Sequence, residues 1–575
     1  MHREIAPCND NYVSWSAQRI AMSPELMATT IAGLQAELVA KEAAHAAKVS
    51  ALEDSLTELA HENALLKRRL FGSKTERGRT SELQLALGDL LALEAKLQAD
   101  LDASVEKAKD AAPKAEPGEG SGKPRPHGRR NLFASNLPRV PVEIRDAALE
   151  AQGARLIRFE DAAQLAFRRG GFFVVIKRIA QYEVVHDGAT TVVPAPSPET
   201  IFPKALLHTS TIAHLLTSKF ALGVPHYRLE RDLLDQGMRL DRGLMSRYVE
   251  HAGNTLGATV VAAMWRDAIA HGQMISTDAT GAAIQPTKAK DGKSLACKKG
   301  HFFTAVVDAH AVLYAYVERH TSETVKALFG EFHGLLQADA SAVYDILTRG
   351  RPPDAAEFQN NVELAGCWAH CRRGFFEAAL CRHPSGVQGL MRIRAMYATD
   401  AAGQRVPRTE RTAFRDAHLR PLMDEFFTWA AAARDLTPGR NLATKALGYA
   451  LNQEAELRRV LQSADIPLDN TRAERALRTI VVGRKNWLFY GTDTHAEAAA
   501  AIFSIIATCR LHALDPFSYF VEVLRVLPYW PHERYLELAP QHWNATRSRL
   551  EPQELNAPLS RITVPAPPPD EVSQG

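Results

Sequence analysis

Cysteine is scarce: six residues in a chain of 575, at no regular spacing, which argues against a disulfide framework and for a reducing compartment. No run approaches the roughly 18 uninterrupted apolar residues of a membrane helix. The first residues show no basic stretch followed by an apolar one, so neither a membrane nor a secretory role is expected. A strong net charge of either sign is also missing. At +3 the bulk electrostatics do not announce a polyanion binder, so charge has to be read locally. With 46% hydrophobic and 23% charged residues, the chain reads as a globular, multidomain, cytoplasmic protein.

Residues 25–109 read as a leucine-zipper-like coiled coil. Leu52, Leu59 and Leu66 recur every seven residues, with Val49, Leu56, Asn63 and Leu70 on the second seam. Self-association into a homo-oligomer is one reading and packing within a single domain the other. Gly72 breaks the helix inside a basic segment carrying Lys67, Arg68, Arg69, Lys74 and Arg77, candidate DNA contacts by charge. Residues 110–138 interleave proline with glycine and read as a flexible linker. Residues 139–200 alternate apolar and polar positions, as in Phe172-Phe173-Val174-Val175-Ile176, and predict a small β-rich module.

Residues 201–256 predict a helix-turn-helix: a helix over 225–236, a turn at Gly237, then a second helix from Arg242 to His251 capped by Asp241. Arg239, Arg242 and Arg247 near its start suit a major-groove reader. An ordinary helical hairpin fits the same pattern.

From residue 257 to 376 the order of predicted elements is β-β-β-α-β-α-β-α. The strands are Met274–Asp278, Phe302–Asp308, Val312–Glu318, Leu335–Asp339 and Val362–Cys367, with helices over Thr321–His333 and Ser341–Thr348 and another from Trp368. This is a mixed sheet with three antiparallel strands and then two parallel ones. It is the order of ribonuclease-H-like nucleases and integrases, in which strands one and four lie side by side. Asp278 and Asp339, each ending one of those strands, are then expected at one sheet edge. A divalent cation, Mg2+ or Mn2+, would offset their repulsion. A helical insertion is expected over 377–465. Over 466–508 the core resumes with a helix capped by Asp469 or Asn470, carrying Glu474 about one turn in as the candidate third carboxylate. Arg475, Arg478, Arg484 and Lys485 surround it. They are read either as ion-pair partners of Glu474 or as contacts to DNA phosphates. Residues 509–545 read as a C-terminal helical domain and 546–575 as a disordered tail. Cys367, His370, Cys371, Cys381 and His383 cluster at no standard zinc spacing, and no zinc is expected. Trp487 has core packing as its default and base stacking as the alternative.

Several strings resemble transposases of the insertion-sequence 66 family. They are Leu70-Phe71-Gly72-Ser73-Lys74, then Ser218-Lys219-Phe220 followed by Pro225-His226-Tyr227-Arg228, then Leu336–Ala340, Gly366–Glu377, Leu468–Arg478, Gly483–Gly491 and Leu514–Pro516. The resemblance spans about Leu26 to Trp543. It implies a ribonuclease-H-like DDE transposase holding two Mg2+ or Mn2+ ions at Asp278, Asp339 and Glu474, with His370 positioning DNA or water. It also implies binding to terminal inverted repeats and target DNA, helper proteins of the same element as possible partners, and a nucleoid-associated location. Two features depart from the family. Residues 139–200 hold no cysteine, so the family's zinc module is expected to lack its metal. Ala279 stands where an acid usually follows the first aspartate. A non-enzymatic DNA-binding regulator, a hydrolytic nuclease and an inactive transposase copy are the rival readings.

Overall fold

The computed structural model describes residues 139–168, 170–186, 189–285, 296–348 and 362–568, with residues 33, 37–43, 45 and 49 as helix. The heptads from Leu52 onward, the basic segment Lys67–Arg77 and the linker lie outside the described residues. Mixed sheets and many helices make this an α+β protein. Among the described residues no helix is long and apolar enough to cross a membrane.

The first sheet is built from β1 (Arg139–Ile144), β2 (Arg155–Arg168), β3 (Gly171–His186) and β4 (Ala189–Pro194), with the short helix α1 (Ala147–Ala151) between its first two strands. β3 pairs with the other three, antiparallel to β2 and β4 but parallel to β1. The inward alternation of β3 buries Phe172, Val174 and Tyr182, which is why this stretch reads as strand.

Four helices follow. α2 (Thr209–Leu216) passes through a π turn at Thr217–Ala221 into a loop and then α3 (His226–Asp235). Gly237 has φ +81 in the turn, and the Asp241 side chain accepts from the Gly243 and Leu244 N–H groups at the start of α4 (Arg242–Leu256). That second helix does not stop at His251. It continues through a π turn at Gly257–Val261 into α5 (Ala262–His271). Gly253 and Gly257 look like helix breakers, but they are contact points. A Cβ at Gly253 would sit 2.6 Å from the Ala498 carbonyl oxygen, and one at Gly257 would sit 3.3 Å from the Ala501 Cβ.

α5 leads directly into the second sheet: β5 (Met274–Ile284), β6 (Lys298–Val307), β7 (Ala311–Val317), then α6 (Ser322–Phe329), β8 (Gly334–Gln337) and β9 (Val362–Ala365). The spatial order is β7-β6-β5-β8-β9. β5, β6 and β7 are antiparallel neighbours, and β8 runs parallel to both β5 and β9. The predicted helix over 341–348 is only one 3-10 turn, Tyr344–Leu347. Asp339 accepts from the Ser341 N–H at 3.4 Å, a local side-chain bond of the kind that competes with helix initiation.

Beyond β9, α7 (Trp368–Leu380) leads into α8 (Pro384–Gly403), α9 (Arg411–His418), α10 (Arg420–Asp435), α11 (Leu442–Asn452) and α12 (Glu454–Arg458). These share their own apolar cluster around Trp368, Phe375, Phe426 and Leu447. The chain returns to the sheet through α13 (Thr471–Trp487). Then α14 (Asp493–Leu511) covers the edge strand β7, where Ser504 Oγ and Thr508 Oγ1 accept from the Tyr314 and Val312 N–H groups. α14 is buried on nearly all sides, as its run of alanines allows.

α15 (Pro516–Val526), α16 (Pro540–Arg547) and α17 (Pro552–Asn556) close the fold. The segment expected as a disordered tail is ordered through residue 568, with Leu555 and Ile562 buried. Its anchor is the Arg525 guanidinium, which donates to the carbonyls of Glu554 and Leu555 and to Ser560 Oγ.

Candidate active site

Asp278 and Asp339 arrive on neighbouring strands. β5 and β8 pair in register from Met274 with Leu335 to Ser276 with Gln337, and each aspartate lies two residues past the last pair. Both side chains are half-buried. Asp278 Oδ1 accepts from the Ala279 N–H at 2.7 Å.

Glu474 comes from far along the chain, and the contacts of the segment before it explain its placement. Gln337 Nε2 donates to the Pro467 carbonyl at 2.8 Å, while its Oε1 accepts from Ser276 Oγ. The Trp368 backbone N–H donates to the Leu468 carbonyl. Asn470 is fully buried. Its amide donates to the carbonyl of Thr277, the residue before Asp278, and its N–H donates to Cys367 Sγ. Of the two candidate caps, Asp469 is therefore the one whose side chain meets the helix, accepting from the Thr471 N–H at 3.1 Å. Its other oxygen accepts from the Tyr397 hydroxyl of α8 at 3.0 Å. Asn470 bolts the helix to the strand instead.

Three acids so placed act on each other. The Asp278 carboxyl is pushed up to about 6, first by burial and then by the charges of Asp339 and Glu474. The Ala279 N–H and the nearby His370 pull it the other way. Glu474 is exposed, and among the described residues none of the three acids is paired with a lysine or arginine. The ion-pair reading of Glu474 thus finds no partner among Arg475, Arg478, Arg484 and Lys485. Arg475, Arg478 and Lys485 are exposed, Arg484 is half-buried, and none of the four makes an ion pair among the described residues. Arg239, Arg242 and Arg247 are likewise exposed at the start of α4.

The donor set is hard, anionic and, among the described residues, free of lysine or arginine partners, so its chemistry fits a divalent metal. The side chains do not yet close on one. Among the described residues no three His, Cys, Asp or Glu groups come together tightly enough to hold an ion. Cys367 and Cys371 are buried, and burial pushes both thiols up, Cys367 to about 11. His370 opens α7 beside Asp278, with its Nδ1 buried and unpartnered.

Two roles near the acids were not read from the sequence, where Asn470 stood only as a possible cap. Asn470 lies within the string Leu468–Arg478, but its role depends on a carbonyl 193 positions away. Tyr344 is buried, and its phenol is pushed up by burial and by the charges of Asp339 and Asp278; nothing local in the sequence marks it.

Set against known families, the chain falls among transposases. Residues 204–498, just over half of it, match the model described as Transposase IS66 family. Residues 504–541 match the IS66 C-terminal element, and residues 58–142 match the model described as Transposase C of IS166 homeodomain. The chain belongs to the IS66 transposase family. Its relatives include the uncharacterized protein y4qI of Sinorhizobium fredii, 25% identical over 561 residues that cover 94% of this chain and 98% of that protein. The uncharacterized protein y4hP of the same organism is 25% identical over 428 residues, 70% of this chain and 75% of that one. No solved structure matches.

Proposed function

We propose that this chain is the transposase of an insertion sequence, cutting and joining DNA at a ribonuclease-H-like core with Asp278, Asp339 and Glu474 as its acids. The observation that carries the reading is the Asp278 carboxyl, raised in part by the charges of the other two acids, so that residues 61 and 196 positions away share its field. The sheet order and the parallel pairing of β5 with β8 support the same fold. Like charges held near one another but unpaired describe a site that still needs a cation.

Two divalent ions, Mg2+ or Mn2+, would supply activation of the attacking oxygen and stabilisation of the leaving one during in-line transfer at phosphorus. The chain's own part is placement. β5 and β8 fix two acids, and the Asn470 and Asp469 contacts fix the helix that carries the third. His370, near Asp278, would orient the scissile phosphate or the attacking water. Arg475, Arg478, Arg484 and Lys485 would hold flanking phosphates, Arg239, Arg242 and Arg247 would read the element's ends, and the segment Lys67–Arg77 would add contacts of its own. The heptads of residues 25–109 would pair subunits so that two ends can be brought together.

The test is strand transfer by purified protein with Mg2+ and the element's own ends. Asp278→Asn and Glu474→Gln should each abolish cleavage and joining while DNA binding remains measurable. Full turnover by both variants would remove these acids from the mechanism. Cleavage without joining would leave a nuclease.

A further inference from the structure

α13 leaves the acids and runs along β5. Asn470, just before it, meets the Thr277 carbonyl, and Tyr490, just past its end, pairs with Ile284 at the far end of the strand. Glu474, Arg478, Val482 and Lys485 fall on one face by their spacing of three and four, and all four are exposed. From Arg475 to Thr492 the sequence holds no acid. Arg475, Arg478, Arg484 and Lys485 make no ion pair among the described residues. A partner that lies along this face therefore has to be anionic.

The helix stops abruptly. The Phe489 N–H donates to the Trp487 carbonyl at 2.7 Å, closing a three-residue γ turn with Leu488 at its centre, at φ 64 and ψ −45. Helices that end on a positive φ usually place glycine there. Leucine is strained in that conformation, and packing does not hold it, since it is 69% exposed. Phe489 beside it is 41% exposed. The two flanking rings turn inward instead. Trp487 is half-buried, edge-on to Phe220, and Tyr490 is buried against Phe302. Trp487 thus takes its core-packing role, and what the turn offers to solvent is Leu488 and Phe489. Large apolar side chains left outside the core on a strained turn lower the stability of the free protein. Burial against an apolar ligand surface reverses that.

We propose that Leu488 and Phe489 form a wedge that stacks on a base of bound DNA and unstacks the neighbouring step. This rests on the DNA-processing reading given above. DNA carries apolar base faces inside a polyanion, and this surface matches both. The cations along α13 suit phosphates, and the leucine and phenylalanine at its end suit the face of a base. The offset from Glu474 to Leu488, at 1.5 Å per residue, puts the wedge about 21 Å from that acid. That is about six base pairs along a duplex that follows the helix.

The experiment places 2-aminopurine, which fluoresces more strongly when it leaves the stack, at successive positions of a duplex from the element's end. The wild type should raise the signal several-fold at one step, about six base pairs from the cleaved bond. Phe489→Ala and Leu488→Gly should lose that rise. Both should keep the wild-type dependence of affinity on salt, because no phosphate contact is removed. Leu488→Gly should hold or raise the melting temperature, since glycine relieves the turn. Phe489→Trp keeps a flat apolar ring and should retain the rise. Binding by the wild type with no rise at any position, or a full rise in both Phe489→Ala and Leu488→Gly, overturns the wedge. If those two variants keep the rise but lose self-association without DNA, the patch is a contact between copies of this chain. Loss of the rise with a lower melting temperature in both variants also overturns the proposal and makes the turn structural. If the wild type binds no duplex at any salt, the DNA reading itself fails and takes the wedge with it, a result distinct from binding without unstacking.

Discussion

Replacing Asp278 by asparagine removes a carboxyl that the fold holds near pH 6 rather than its usual range. A carboxyl raised in this way lends stability below about pH 4 and withdraws it as pH rises through 6. Without divalent ions, Asp278→Asn should therefore melt above the wild type at pH 8, with the gap closing toward pH 4. Adding Mg2+ or Mn2+ should raise the melting temperature of the wild type and leave the variant unmoved. Scanning calorimetry across pH and metal checks both; a wild type that ignores the ions would count against the site. His208 works in the opposite sense. Its Nδ1 accepts from the Ser210 N–H and its Nε2 donates to the Pro558 carbonyl, so the ring is held neutral, and burial drags it down to about 4. The stability it lends is intact above pH 6.5 and lost as pH falls toward 4, by roughly 3 kcal/mol in the limit. Unfolding followed from pH 7.5 to 4.5 should show this loss, and His208→Gln should flatten part of it. The remaining slope would belong to His214 and His226, which burial also lowers.

Among the elements, α13 depends most on its neighbours. Tyr397 reaches from the helical insertion to Asp469 at 3.0 Å, so Tyr397→Phe should cost about 1 kcal/mol and slow strand cleavage more than it weakens DNA binding. Equal losses in both would place Tyr397 in general packing. Arg415 has the larger stake. It is buried, pairs with Asp400 at 2.8 Å, and donates to the carbonyls of Val460, Ser463 and Ile466 just before the segment that delivers α13. Arg415→Met leaves Asp400 and three carbonyls unsatisfied, and a loss of about 3–5 kcal/mol is expected in denaturant titration. Much of this layer was readable in advance. The order of strands from β5 to β9, a helix starting near Thr321 and the parallel run of the last two strands were all expected from the sequence. What escaped depends on distant partners. The helix expected to end at His251 runs on, with Gly253 and Gly257 packed against Ala498 and Ala501. The proline-rich end reads as tail until Arg525 and His208 take its carbonyls. Of the candidate site, the three acids and the flanking cations were legible as residue types in strings; Asn470 and Tyr344, whose roles are entirely tertiary, were not.

At the scale of the whole molecule, one feature has a geometric consequence. From Arg242 to His271 the backbone stays helical through the π turn at Gly257–Val261 and then hands over to β5 across Gly272 and Gln273. The Asp308 carboxylate clamps that junction by accepting from the Gln273 and Met274 N–H groups. Thirty helical residues span about 45 Å, comparable to about 13 base pairs. If the front of this rod reads the element's end, the rod acts as a ruler. The offset between bases gripped and bond severed is then set in protein, and spacer DNA added at an element's end moves the bond out of reach.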